Sequence, residues 1–190
     1  MKPWNNRGYT LLEVMISLFL TGLIATAGFK FYSGFHNHAL AQQAIGDMQL
    51  ESRNVLQEMV KQVRNAGYKT GSHAPFAING DSLYVFTGDG GLIDTLLFYL
   101  EDYADESELA GLSTVPARLW PRKLMIQHNS EAPNLYADAI AGVSFTVPSS
   151  NILLITLETQ TVQADEQYAF NDGVRTCRCT ERVVLRNVAG

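Results

Sequence analysis

The sequence predicts an α+β fold: a long N-terminal α-helix, part membrane span and part amphipathic, packed on a mainly antiparallel β-sheet head. Three observations predict it. No proline occurs between Trp4 and Pro75. Apolar residues then recur at helical spacing through Val63. After Gly67 the texture changes to short β-like runs parted by Gly, Pro, Asn and Asp.

The helix is justified in two halves. From Tyr9 to Phe29 the only formal charge among 21 residues is on Glu13. At 1.5 Å per residue that run is roughly 30 Å long, about one hydrocarbon thickness. Lys2 and Arg7 precede it and predict a cytoplasmic N-terminus with the rest of the chain translocated. In the second half Ala41, Ala44, Ile45, Met48, Val55, Leu56, Met59, Val60 and Val63 form a 3.6-period stripe, broken where Ser52 takes an apolar slot. Gly67 in "NAGY" is read as the C-cap. A helix over residues 9–66 would have 58 residues and run roughly 87 Å.

The head follows as a series of strands. Ser82 to Gly88 and Asp94 to Leu100, around "GDGG", read as a hairpin. Further runs start at Lys123 ("KLMIQH"), Ala141 ("AGVSFTV"), Asn151 ("NILLITLETQTV") and Glu181 ("ERVVLRNV"). The acidic "EDYADESELAG" between two of them reads as a solvated loop or short surface helix.

Composition narrows the function. Hydrophobic residues make up 46% and charged residues 17%, which fits a folded protein. The net charge is −5 and the 14 basic residues are spread thinly, which sets nucleic acid aside as a partner. His36, His38, His73 and His128 have unlike surroundings, and no Ser/His/Asp or Cys/His pattern argues catalysis. No metal site, cofactor or enzyme activity is expected. "NGDS" and "TGDGG" read as turns, since a full calcium loop is absent. Cys177 and Cys179, the only cysteines, lie at or beyond disulfide reach on a regular strand, and a bend at Arg178 would close the bridge. Free thiols or bonds to other chains are the alternatives.

Glu13 is the residue that a plain membrane anchor does not explain. An acid at mid-span costs on the order of 2.5–3.5 kcal/mol, less near the interface, and such groups usually have a partner. A cut after Gly8 would create an α-amino group on Tyr9, one helical turn from Glu13, able to act as that partner in the same subunit or a neighbour.

"RGYTLLEVMIS" resembles the type IV prepilin leader: a short basic peptide ending in Gly, a methylatable residue, then Thr-Leu-Leu-Glu. The first mature residue is Tyr, where that family usually has Phe. The resemblance implies cleavage by a prepilin peptidase between Gly8 and Tyr9, N-methylation of Tyr9, and a docking role for Glu13 in a helical filament. "LQEMVKQVRNAGY" and "RVVLRNV" resemble PilW-type minor pilins, and pseudopilin J of type II secretion is similar in layout. The implied parts are a leader over 1–8, a transmembrane and filament-core helix over 9–35, an amphipathic half over 36–68 and a β-rich head over 69–190. The implied function is a minor pilin of a type IV pilus or its tip or initiation complex, serving adhesion or motility. Its partners would be the peptidase, other minor pilins, the major pilin and the inner membrane, with the head in the periplasm and later at the cell surface. The alternatives are pseudopilin J and, in another class, a signal-anchored periplasmic enzyme or binding protein.

Overall fold

The computed structural model describes residues 9–89, 91–104, 115–161, 165 and 168–187. Gly8, the leader, most of the acidic "EDYADESELAG" stretch, Val162 and Val188 lie outside the described residues. The chain divides into two compact units, Met1–Gln43 and Ala44–Gly190.

One helix, α1 (Leu11–Val63), carries the N-terminal part of the sequence. Seven strands follow: β1 (Phe76–Asn79), β2 (Ser82–Asp89), β3 (Leu92–Glu101), β4 (Arg122–His128), β5 (Asn134–Ser149), β6 (Ile152–Gln160) and β7 (Thr176–Val184). They form one antiparallel sheet in strict chain order, β1 to β7. The arrangement is the predicted α+β one.

The core lies between the sheet and the C-terminal part of α1. Met48, Ser52, Val55, Leu56, Met59, Val60 and Val63 are the buried helix positions, so the helical stripe seen in the sequence is the packed face from Met48 onward, while Ala41 and Ile45 are half-buried and Ala44 is exposed. They meet alternate residues of the strands, including Leu83, Val85, Phe98, Leu124, Leu153, Ile155, Leu157 and Val183. Register aligns these into rows, with Leu83 beside Phe98 and Phe98 beside Ile126. Phe98 is fully buried, and truncating such a side chain removes on the order of 3–5 kcal/mol. Ser52 proves to be a matched position. Its hydroxyl donates to the Met48 carbonyl at 2.7 Å and shares a 2.6 Å hydrogen bond with Thr159, so two buried polar groups satisfy each other.

Several boundaries differ from those expected. Strand β1 was not anticipated; its four residues pair with β2 through a Gly80–Asp81 turn. Strand β5 starts at Asn134, ahead of Ala141, because register shifts opposite Arg122 to Met125 interrupt the alternation that marks a strand. Ala139, with a φ of 54°, lies in that stretch. Strand β7 starts at Thr176 and ends at Val184, in place of the expected run from Glu181 to Val188. Gly67 is not the helix C-cap. Regular helix ends at Val63, and the Gly67 N–H donates to the Phe86 carbonyl of β2 at 2.8 Å. Its φ of 77° is left-handed, and a Cβ there would run into the Asn187 carbonyl.

Tyr136 supplies a test of the packing. Its ring meets Phe98 edge-on at 5.5 Å, while its hydroxyl is buried with no hydrogen-bond partner among the described residues. Burial, and then the Glu58 charge, push its phenol well above the ordinary tyrosine value. Tyr136→Phe keeps the ring and removes the unsatisfied group, so stability should hold or rise by up to about 1 kcal/mol. Urea unfolding of the full chain in detergent checks this; a loss of more than about 1 kcal/mol would reveal a hydroxyl partner.

Candidate functional site

The start of α1 brings Tyr9, Thr10 and Glu13 together. Thr10 takes the N-cap position, and its Oγ1 accepts the Glu13 backbone N–H at 3.3 Å. Glu13 is therefore the third helical residue, the place where a carboxylate favours the positive end of the helix dipole. The Thr10–Glu13 spacing is that of a capping box, a signal legible in "TLLE" and not anticipated. Both residues are solvent-exposed, and among the described residues the Glu13 carboxylate meets no cation.

The helix surface beyond this cap is apolar on every side. Leu11, Leu12, Val14, Met15, Leu18, Phe19, Leu23 and Ile24 are all exposed, Phe19 at 70%. Helix α1 is long and apolar enough to cross a membrane, and none of its most apolar 18-residue window is buried. An all-round apolar helix in water would expose far more hydrocarbon than soluble monomers carry, which points to lipid or protein around it. Its polar side chains are satisfied internally. Ser17, Thr21 and Thr26 donate to the carbonyls of Glu13, Ser17 and Gly22 at 2.7, 2.7 and 2.8 Å. Lys30 stands 17 residues after Glu13, about 25 Å along a helix, among Phe29, Phe31 and Tyr32. That mixture of aromatics and a cation suits a membrane–water interface.

The remaining candidates do not gather into one site within either unit. His36 stacks on Tyr32 within α1, His73 meets Phe86 edge-on, and His128 Nε2 lies 2.8 Å from Asp94 Oδ2. Among the described residues no three His, Cys, Asp or Glu side chains gather as a metal site. Burial first, and then the Asp138 carboxylate, hold Glu51 above the usual carboxylate value. On the sheet face away from α1, Ser144, Thr156, Glu158, Arg178 and Thr180 line a shallow polar recess. Its charges are already committed, since Arg178 reaches Glu158 at 3.1 Å and Thr156 bonds Thr180 at 2.9 Å. Cys177 and Cys179 share the other face of β7, with their sulfurs 3.9 Å apart and unbonded. Burial and then the neighbouring Cys179 thiol raise the Cys177 thiol, and Arg53 opposes the shift.

Residues 5–29 match the family model described as the prokaryotic N-terminal methylation motif. The match covers the leader boundary, Glu13 and the apolar run, and supports a place in the pilin-like superfamily. No curated protein and no solved structure matches the chain.

Proposed function

We propose that the chain is a PilW-like minor pilin, held in the inner membrane by α1 and incorporated into a type IV pilus or its tip complex after its leader is removed. The observation that carries this reading is an exposed, mostly apolar helix start whose lone acid, Glu13, falls at the fifth position after the Gly8–Tyr9 boundary in the sequence. The methylation motif implies processing by a prepilin peptidase and assembly with other pilins in the membrane. Cleavage exposes the Tyr9 ammonium next to Glu13, and lateral packing of like helices replaces lipid around the apolar surface. The carboxylate then pairs with an N-terminal ammonium, and that pairing sets how far one helix slides past another. The head stays in the periplasm during storage and then sets which other minor subunits the chain contacts. Its role is structural and it has no reaction to catalyse.

The test is fractionation of cells carrying a tagged full-length chain. Mature protein should appear in sheared surface filaments, and deleting its gene should reduce surface filaments. Filaments that persist unchanged while protein secretion across the outer membrane fails would favour the pseudopilin J role. A protein that stays in the membrane fraction with neither phenotype would contradict both.

A further inference from the structure

Cys177 and Cys179 occupy β7, the last strand of the sheet, which among the described residues pairs with β6 alone. In that register Cys177 sits opposite Thr159 and Cys179 opposite Leu157, both on the side that faces α1. Cys179 packs against the hydrophobic core, and Cys177 feels the charge of Arg53 on α1. Arg178 between them points to the opposite face and grips Glu158. The two sulfurs are 3.9 Å apart, and the chain has no third cysteine to compete for either.

We infer that these two residues are an oxidisable pair that closes to an intramolecular disulfide in an oxidising compartment, and that closure puckers the edge strand at Arg178. The chemistry is two thiols reacting with one disulfide of an oxidant such as oxidised glutathione. Two protons and two electrons leave the cysteines, one S–S bond forms in the protein, and the oxidant becomes two thiols. Closure brings sulfurs now 3.9 Å apart to about 2.05 Å. The backbone must also shorten, since alternate residues of a strand are about 6.5–7 Å apart and bridged Cα atoms usually about 5.5–6 Å. An inner strand would lose two ladders by buckling. Among the described residues β7 has only its pairing with β6 to disturb, and edges are where bulges are tolerated. The pucker re-aims Arg178 away from Glu158 and interrupts the edge that β7 forms among the described residues, so thiol state controls whether that edge is flat.

The part of this inference that concerns the cell rests on a periplasmic head, so the experiment has two arms. In the first, purified full-length protein in detergent is equilibrated at rising ratios of oxidised to reduced glutathione, then quenched with N-ethylmaleimide. The monomer should become lighter by two hydrogen atoms and take up no label, and amide exchange over residues 176–180 should speed up at least several-fold. A Cys177→Ser, Cys179→Ser double variant should show no such change. Thiols that still label where a control disulfide has formed, stable glutathione adducts, or disulfide-linked dimers would overturn the pair. In the second arm, thiols are trapped in intact cells. Oxidised protein there supports the inference. Free thiols in cells, from a protein that closes readily in the first arm, would overturn the proposed location of the head while leaving the pair geometry standing.

Discussion

Glu13→Ala protein should enter the membrane and lose its leader as the unaltered chain does, yet fall at least about tenfold in sheared filaments relative to its membrane level. The change removes no apolar contact. It lowers the cost of holding α1 in lipid, because an exposed acid near the end of the span is deleted. On the proposed reading, what it takes away is the counter-charge for an N-terminal ammonium buried among packed helices. Breaking a fully buried pair costs on the order of 3–5 kcal/mol, and each 1.4 kcal/mol is about a factor of ten in an association constant. Loss of about half that amount already gives the stated depletion. Thr10 still caps the helix in the variant, and losing a first-turn carboxylate costs only about 0.3–1 kcal/mol, less than the buried pair. Glu13→Gln keeps the shape and some hydrogen bonding and should be depleted less than Glu13→Ala. An unchanged ratio of filament to membrane protein for Glu13→Ala would remove the docking charge from the account.

The second large effect is at the leader boundary. Gly8→Glu should leave the precursor uncut. If the chain is cut after Gly8 as proposed, a side chain there should crowd the peptidase, and a carboxylate adds charge where the chain enters lipid. The uncut precursor keeps Lys2 and Arg7 and lacks a free Tyr9 amine, so Glu13 has no ammonium of the expected kind to meet. Immunoblots should show the larger form alone, confined to membranes. Normal-sized mature protein from this variant would mean that the cut lies elsewhere.

Much of this architecture is legible in the residues. The absence of proline over seventy positions and the 3.6-period stripe place α1 and its buried face, since helical periodicity persists over many turns. Strands are harder because their signal is short. β1 has four residues and no alternation of its own, and it exists because β2 offers an edge. The early part of β7, "TCRCT", has no large apolar residue, as suits an edge strand with one polar side. β5 is interrupted by its own register shifts. Ser52 looked like a fault in the stripe because its partner, Thr159, is 107 residues away, and no local pattern reveals such a pairing. The candidate site is a local pattern, since Gly8, Tyr9 and Glu13 lie within six positions, and it rests on the sequence and the matching motif. The approach of Cys177 to Cys179 depends on strand geometry, and only the structure supplies the sulfur separation.

The most direct measurement is the N-terminus of the protein taken from the membrane. Sequencing and intact mass should give a chain that begins at a methylated Tyr9, with the formal charge taken from −5 to −7 by loss of Lys2 and Arg7. A membrane protein that begins at Met1, or at any residue other than Tyr9, would contradict the pilin reading at its foundation.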